Sequence, residues 1–305
     1  MLELRMKRGT NPFRKFVSEH ARLFQSGLKL PPGRPPKFPR HPKVPDNAPK
    51  VLIFSPHPDD ECIMGGLALR LLREAKWNVI NVAVTRGSKQ ARRAARLREL
   101  RATCDSLGFG LAVAGWEDIN PVARRENCPS WRAAVEIVAE ILAEQRPRVL
   151  FLPHECDGHA THIGTHFLVL DALKALPASF KSYVVETEFW GQMTNPNRLV
   201  ESGTEDVGDL VAALACHVGE VRRNPYHARL PAWMMDNVRR GAELVGGPSP
   251  RRSGFVHAGG QGGVAPDFAF ATLYRLRQWS HGRLMDVAKG GKFLSRSENA
   301  AKLFR

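Results

Sequence analysis

VLIFSPHPDDECIMGG, residues Val51 to Gly66, sets the fold class. Four apolar residues, Val51, Leu52, Ile53 and Phe54, run into a group of metal-competent side chains, His57, Asp59, Asp60 and Glu61. Gly65 and Gly66 then turn the chain into the apolar stretch Leu67 to Leu72. That order predicts a buried strand, a polar loop at its carboxyl end and a helix behind it. Ligands bind at the carboxyl ends of strands in open α/β sheets. One imidazole and three carboxylates packed so closely are costly to bury there unless a cation neutralises them. The stretch therefore predicts a metal site.

A second stretch, VLFLPHECDGHATHIGTHFLVLDAL (Val149 to Leu173), has the same order. The apolar strand Val149–Leu152 leads into a loop with His154, Glu155, Asp157, His159 and His162, and His166 follows one turn later. His159 and His162 are three residues apart, so at a helix start they share a face. Neutral imidazole is a common zinc ligand, and catalytic zinc usually takes three protein ligands with one position left for water. His57, Asp60 and one histidine of this second loop would supply two nitrogens and a carboxylate. Asp59 and Asp60 are neighbours on an extended loop, so their side chains point in different directions and suit different roles.

Working outward, the 305 residues, 43% hydrophobic, suffice for one large α/β domain. Strands are expected at Val51–Phe54, Asn78–Val84, Leu111–Ala114, Val149–Leu152 and Ser182–Phe189. Helices are expected at Leu67–Ala75, Ala91–Leu107, Trp131–Gln145, His162–Ala175 and Val207–Arg223. This alternation predicts a Rossmann-like, mainly parallel sheet with helices on both faces. The right-handed crossover then brings the Pro56–Cys62 and Pro153–His159 loops to one edge. Pro231–Val245 has helical spacing, Gly246–Gly263 reads as a linker or active-site loop containing His257, and Phe268–Trp279 as a late strand. The expected organisation is a basic, Pro-rich arm (residues 1–47) and one α/β domain (48–305), whose part from about 224 completes the substrate site.

The two motifs resemble the PIG-L/LmbE-like family of zinc-dependent de-N-acetylases, which act on N-acetylglucosamine-type sugars. The family's His-Pro-Asp-Asp-Glu segment is matched by His57-Pro58-Asp59-Asp60-Glu61, and its later Asp-x-His element by Asp157-Gly158-His159 with His162. Thr85-Arg86-Gly87, Arg96 to Glu99 and Leu107-Gly108 match further family positions, whereas Ala160 and Thr161 stand where proline and aspartate are usual. The resemblance implies one Zn2+ per chain held by His57, Asp60 and His162. It implies Asp59 as general base, His159 as the group that polarises the carbonyl or meets the oxyanion, and Arg96 and Asp118 as sugar contacts. The substrate it implies is a small amino sugar or its conjugate.

Composition limits the other classes. The net charge is +15, and residues 1–47 carry over half of it, with eleven Lys/Arg against Glu3, Glu19 and Asp46. Pro31-Pro32-Gly33-Arg34-Pro35-Pro36 in that arm reads as a polyproline-like linker. No nucleic-acid recognition motif accompanies the charge, so no specific nucleic-acid partner is expected. No run is apolar enough for a signal peptide or a membrane span, and five cysteines without CxxC spacing fit reduced thiols. A cytoplasmic enzyme, open to forming a homo-oligomer, is expected. Packing is the expected role of Cys62 and Cys156. Lys89, Arg92 and Arg96 fall on one helical face, either solvated or accepting an anionic substituent of the substrate. Two alternatives compete with the deacetylase: a phosphoesterase, which often bridges two metals, and a basic nucleic-acid-binding protein with a relic site.

Overall fold

The computed structural model describes residues 11–33, 40–117, 119–246, 268–287 and 293–305. The amino-terminal arm, read as charged linker, contains a helix, α1 (Phe13–Leu28). The sheet begins with β1 (Lys50–Ser55), followed by the single turn α2 (Asp60–Ile63), α3 (Leu67–Ala75) and β2 (Asn78–Thr85). Next come α4 (Arg93–Leu107), β3 (Gly110–Trp116), α5 (Pro121–Arg125), α6 (Pro129–Gln145), β4 (Val149–Pro153), α7 (Ala160–Lys174) and β5 (Ser182–Thr187). The carboxyl-terminal part adds β6 (Arg198–Ser202), α8 (Thr204–Ala215), α9 (Val218–Val221), α10 (Tyr226–Leu244), β7 (Phe270–Ser280), β8 (Arg283–Asp286) and β9 (Phe293–Leu294).

The strands form one sheet in the order β3-β2-β1-β4-β5-β7-β6-β9, with β8 paired to β7. Strands β1 to β5 are parallel, and β7 joins antiparallel to both β5 and β6. The expected mainly parallel sheet is present. Strand order runs outward in both directions from the β1–β4 pair, in which Val51 faces Val149 and Ile53 faces Phe151. That pair is the topological switch point, so the loops after β1 and β4 open into a single crevice. Period-two alternation divides the core. Val51 and Ile53 pack with helices α3, α4, α8 and α10 on one face. Leu52 and Phe54 pack with α6 and α7 on the other.

Three elements depart from expectation, each near the crevice. The helix expected over Val207–Arg223 is two helices, because the chain breaks at His217 (φ −77°, ψ 60°) and turns that imidazole inward to Glu61. The strand expected to reach Phe189 ends at Thr187, and Glu188–Gln192 leave the sheet to line the crevice. The late helix starts at Tyr226, five residues before Pro231. No helix among the described residues is long and apolar enough to cross a membrane.

Candidate active site and metal centre

The loop after β1 is tightly constrained. Asp59 has φ 119°, a conformation that costs a non-glycine residue free energy and persists only where its surroundings enforce it. Its backbone N–H donates to Glu61 Oε2 at 2.9 Å. Glu61 is fully buried, and its Oε1 lies 2.6 Å from His217 Nε2, which also contacts Thr103 Oγ1 at 3.1 Å. Glu61 is therefore turned away from the crevice, as a strut beneath Asp59. Arg96 braces the other side, donating to the Pro58 carbonyl at 2.7 Å and lying 3.6 Å from Asp59 Oδ1. Gly87 (φ 82°) leaves the room this guanidinium occupies, since a Cβ there would collide with it.

Three donor atoms converge, from the loop after β1 (His57), the start of α2 (Asp60) and the first turn of α7 (His162). His57 Nδ1 lies 3.2 Å from His162 Nε2, and Asp60 Oδ2 lies 3.4 Å from each nitrogen. Around a tetrahedral ion bound at about 2.0–2.1 Å, ligand atoms stand about 3.3 Å apart. The observed spacings fit that requirement, and two imidazoles with one carboxylate form a donor set suited to a divalent ion. Asp60 also accepts the His57 backbone N–H at 2.8 Å. Burial pushes the Asp60 carboxyl up, but His162 and His57 outweigh it and hold it below its usual value. For His162, burial works against the charged form, and the carboxylates of Asp60 and Asp157 prevail and raise it.

Asp157 has a larger part than its place in the motif suggested. Its Oδ1 faces His162 Nδ1 at 3.5 Å and accepts the His159 backbone N–H at 3.1 Å, while Oδ2 accepts the Trp190 N–H at 3.2 Å. A carboxylate behind a ligating imidazole fixes its tautomer and ring orientation. The signal was present in the sequence as Asp157-x-His159. His159 caps α7, its Nδ1 accepting the Thr161 N–H at 3.2 Å. Burial, then the neighbouring His57 and His162, keep it neutral by lowering its pKa. With Nδ1 engaged, the proton of the neutral ring sits on Nε2. Its ring stands 4.9 Å from that of His57, beside the converging donors. Desolvation, followed by the Asp60 carboxylate, raises the Asp59 carboxyl well above the usual range against the pull of Arg96.

His57, Asp59, Asp60, Arg96 and His159 line the floor of a cavity of about 540 Å³, with His162 and Asp157 buried behind them. Its wall comes from Glu188 to Gln192, from α10 and from the turn before it, with Trp190 and Trp233 exposing aromatic surface and Phe189 and the largely buried Tyr226 beside them. The wall's charges pair with one another: Arg240 forks onto Glu188 at 2.7 and 2.8 Å, and Arg223 holds Glu220 at 2.6 Å. Lys89 and Arg92 do not line the cavity, and Arg92 reaches Glu99 at 3.5 Å. Asp118 and His257 lie outside the described residues. The five cysteines form no disulfide; Cys62 is buried, whereas Cys156 is exposed rather than packed as expected. A further cluster, Glu155, His166 and Glu186, is met by Arg275 and Arg277, which neutralise its carboxylates.

The family model described as "PIG-L: GlcNAc-PI de-N-acetylase" matches residues 52–173, a span that contains both motif loops. Over that span the chain is similar to the PIG-L family. The match bears out the family resemblance read from His57–Glu61 and Asp157–His162. No curated protein matches. Among solved structures, the conserved protein TT1542 from Thermus thermophilus is 19% identical (TM-score 0.54), with 73% of this chain and 92% of that one covered. An N,N'-diacetylchitobiose deacetylase from Pyrococcus horikoshii is 16% identical (TM-score 0.54), covering 88% and 94%. GalB, a 4-carboxy-2-hydroxymuconate hydratase from Pseudomonas putida, is 15% identical (TM-score 0.52), covering 75% and 95%. These likenesses establish the fold, and their differing activities leave the chemistry to the site. The cavity wall beyond Glu188 lies outside the PIG-L match.

Proposed function

We propose that the protein is a zinc-dependent hydrolase that removes the acetyl group from an N-acetylated amino sugar or its conjugate. The observation that carries this is the convergence of His57 Nδ1, Asp60 Oδ2 and His162 Nε2 at 3.2–3.4 Å beside the buried Asp59 carboxyl. These three residues would hold the metal. Bound there, zinc would supply the Lewis acidity that lets water attack an unreactive amide at neutral pH. Asp59 takes a proton from that water as its oxygen bonds to the carbonyl carbon. The proton then passes to the nitrogen as the C–N bond breaks, leaving acetate and a free amine. The Nε2–H of His159 donates to the carbonyl oxygen as negative charge builds on it, a contribution of about 3–4 kcal/mol at comparable donors.

The wall supports a neutral polar substrate. Among the described residues the cavity's arginines, Arg96, Arg223 and Arg240, are each matched by a carboxylate, which leaves none of these three to select an anion. Exposed aromatic faces beside paired polar groups suit the alternating C–H and O–H surfaces of a sugar ring. Arg96 is proposed to act on ring placement, because it borders the cavity and grips the loop that carries Asp59. Asp118 keeps that proposed role from the family match alone. Among the described residues the cavity floor has one convergent donor set, which favours a single metal over the paired metals of a phosphoesterase. The deciding experiment incubates zinc-loaded protein with N-acetylglucosamine-type sugars and their conjugates and measures acetate and free amine. Equimolar release of both, lost in Asp59→Asn, is expected. Phosphate release from sugar phosphates with no acetate from any N-acetyl compound would refute the proposal.

A further inference from the structure

Helix α1 is sharply two-sided. Phe13, Phe16, Val17, Ala21, Leu23, Phe24 and Leu28 fall within an arc of about 160° at 100° per residue, which His20 and Gly27 share, a division typical of interfacial helices. The remaining arc holds Arg14, Lys15, Ser18, Glu19, Arg22, Gln25 and Ser26. The apolar side is not folded against the protein: Phe13 is 70% exposed, Phe16 59% and Leu23 72%. A soluble helix normally turns such a face to the core, and an exposed apolar patch of this kind marks an interaction surface. Docking at the helix is confined to its carboxyl end, where Gly27 meets Ala228 of α10, and Gly33 donates to the Ala215 carbonyl at 2.8 Å.

We infer that α1 lies in the surface of an anionic lipid bilayer and holds the protein there without crossing it. The charge selects this occupant. Arg14 borders the apolar arc and Lys15 and Arg22 stand opposite it, Arg5, Lys7 and Arg8 precede the helix and Lys29 follows it, within an arm that carries over half of the chain's net +15. Two copies joined through α1 would bring these like charges together, whereas an acidic lipid surface neutralises them. The helix also meets α10, which forms part of the cavity wall. Ala228, its contact on α10, faces away from Tyr226 and Leu230, which line the cavity wall from the other side of the same helix. Trp190 (57% exposed) and Trp233 (39%) open on that wall, and tryptophan favours the headgroup level of membranes.

This inference is independent of the deacetylase proposal, and its test reads binding alone. The full chain is floated with vesicles of phosphatidylcholine and with vesicles also containing phosphatidylglycerol, across a salt series. Strong binding to the anionic vesicles, weak binding to the neutral ones and weakening by salt are expected. Phe16→Ser with Leu23→Ser changes no charge and should reduce binding by roughly tenfold or more. Arg14→Gln, Lys15→Gln and Arg22→Gln should each cost about fivefold. Thermal unfolding should not change in any variant, because these side chains are exposed. Anionic-vesicle binding unaffected by Phe16→Ser with Leu23→Ser would mean that charge alone acts and would overturn the inference. So would a dimer abolished by that double variant in a protein that ignores both vesicles.

Discussion

The floor of the cavity and its wall come from different parts of the chain. The floor lies within the PIG-L match, at the carboxyl ends of β1 and β4, and its loops are braced by side-chain hydrogen bonds. Asp59 is held between Glu61 and Arg96, and Asp157 engages His159, His162 and Trp190 at once. The wall follows residue 173. It is assembled from a strand that ends early and a helix pair broken at His217, and it presents aromatic faces and self-paired charges. A rigid floor suits chemistry, which depends on sub-ångström placement, and a distinct wall suits the choice of what is placed.

The sharpest way to break this division is Asp59→Asn. If the floor supplies the chemistry, turnover should fall by about 10²–10⁴ with bound metal unchanged, measured by acetate release beside elemental analysis. Near-normal turnover would move the base off the floor. Asp157→Asn comes next. It leaves all three donors in place yet removes the carboxylate behind His162, so metal affinity should drop about 10–100-fold in a competition titration with a chelator. Unchanged affinity would make Asp157 a loop tether only. The wall should respond differently. Trp233→Ala should raise KM several-fold, with kcat and metal content held, because uniform binding is lost while the chemistry remains. A matching fall in kcat would mean that the wall also positions the amide.

The smallest expected effect is on stability, at the edge of the floor. Burial raises Glu186 to about 7, so the folded state binds its proton more tightly and stability falls as pH rises from about 4.5 to about 7. Burial lowers His166 to about 4, so the unfolded state binds its proton more tightly and stability rises from about 4 to about 6.5. The two slopes oppose each other. Removing one should expose the other: His166→Gln should lose stability relative to the parent between pH 4.5 and 6.5, read from urea midpoints. A gap between the two that does not move with pH would contradict the assignment.

The floor was legible in the sequence and the wall largely was not. Strand–loop–helix order around His57–Glu61 and His154–His162 is a local signal, and parallel pairing of β1 with β4 follows from the crossover rule. The local signal could not tell Glu61 from Asp59. Only the inward turn of His217, remote in sequence, makes Glu61 a strut rather than a crevice carboxylate. The break that frees His217 interrupts an otherwise helical pattern, so periodicity over Val207–Arg223 reads as one helix. Pro231 concealed the start of α10, because a proline near a helix start reads as its first residue. In the arm, charge and proline content hid the period of Phe13, Phe16, Val17, Phe24 and Leu28, although that signal was present.

The central claim is that three side chains, from the segments that follow β1 and β4, hold one zinc ion. Titrating zinc into metal-free protein by calorimetry tests it most directly. The account predicts one site per chain, abolished or severely weakened in each of His57→Ala, Asp60→Ala and His162→Ala, and retained in Asp59→Asn. Full-strength binding that survives in all three alanine variants, or two equivalent ions per chain in the parent, would contradict it.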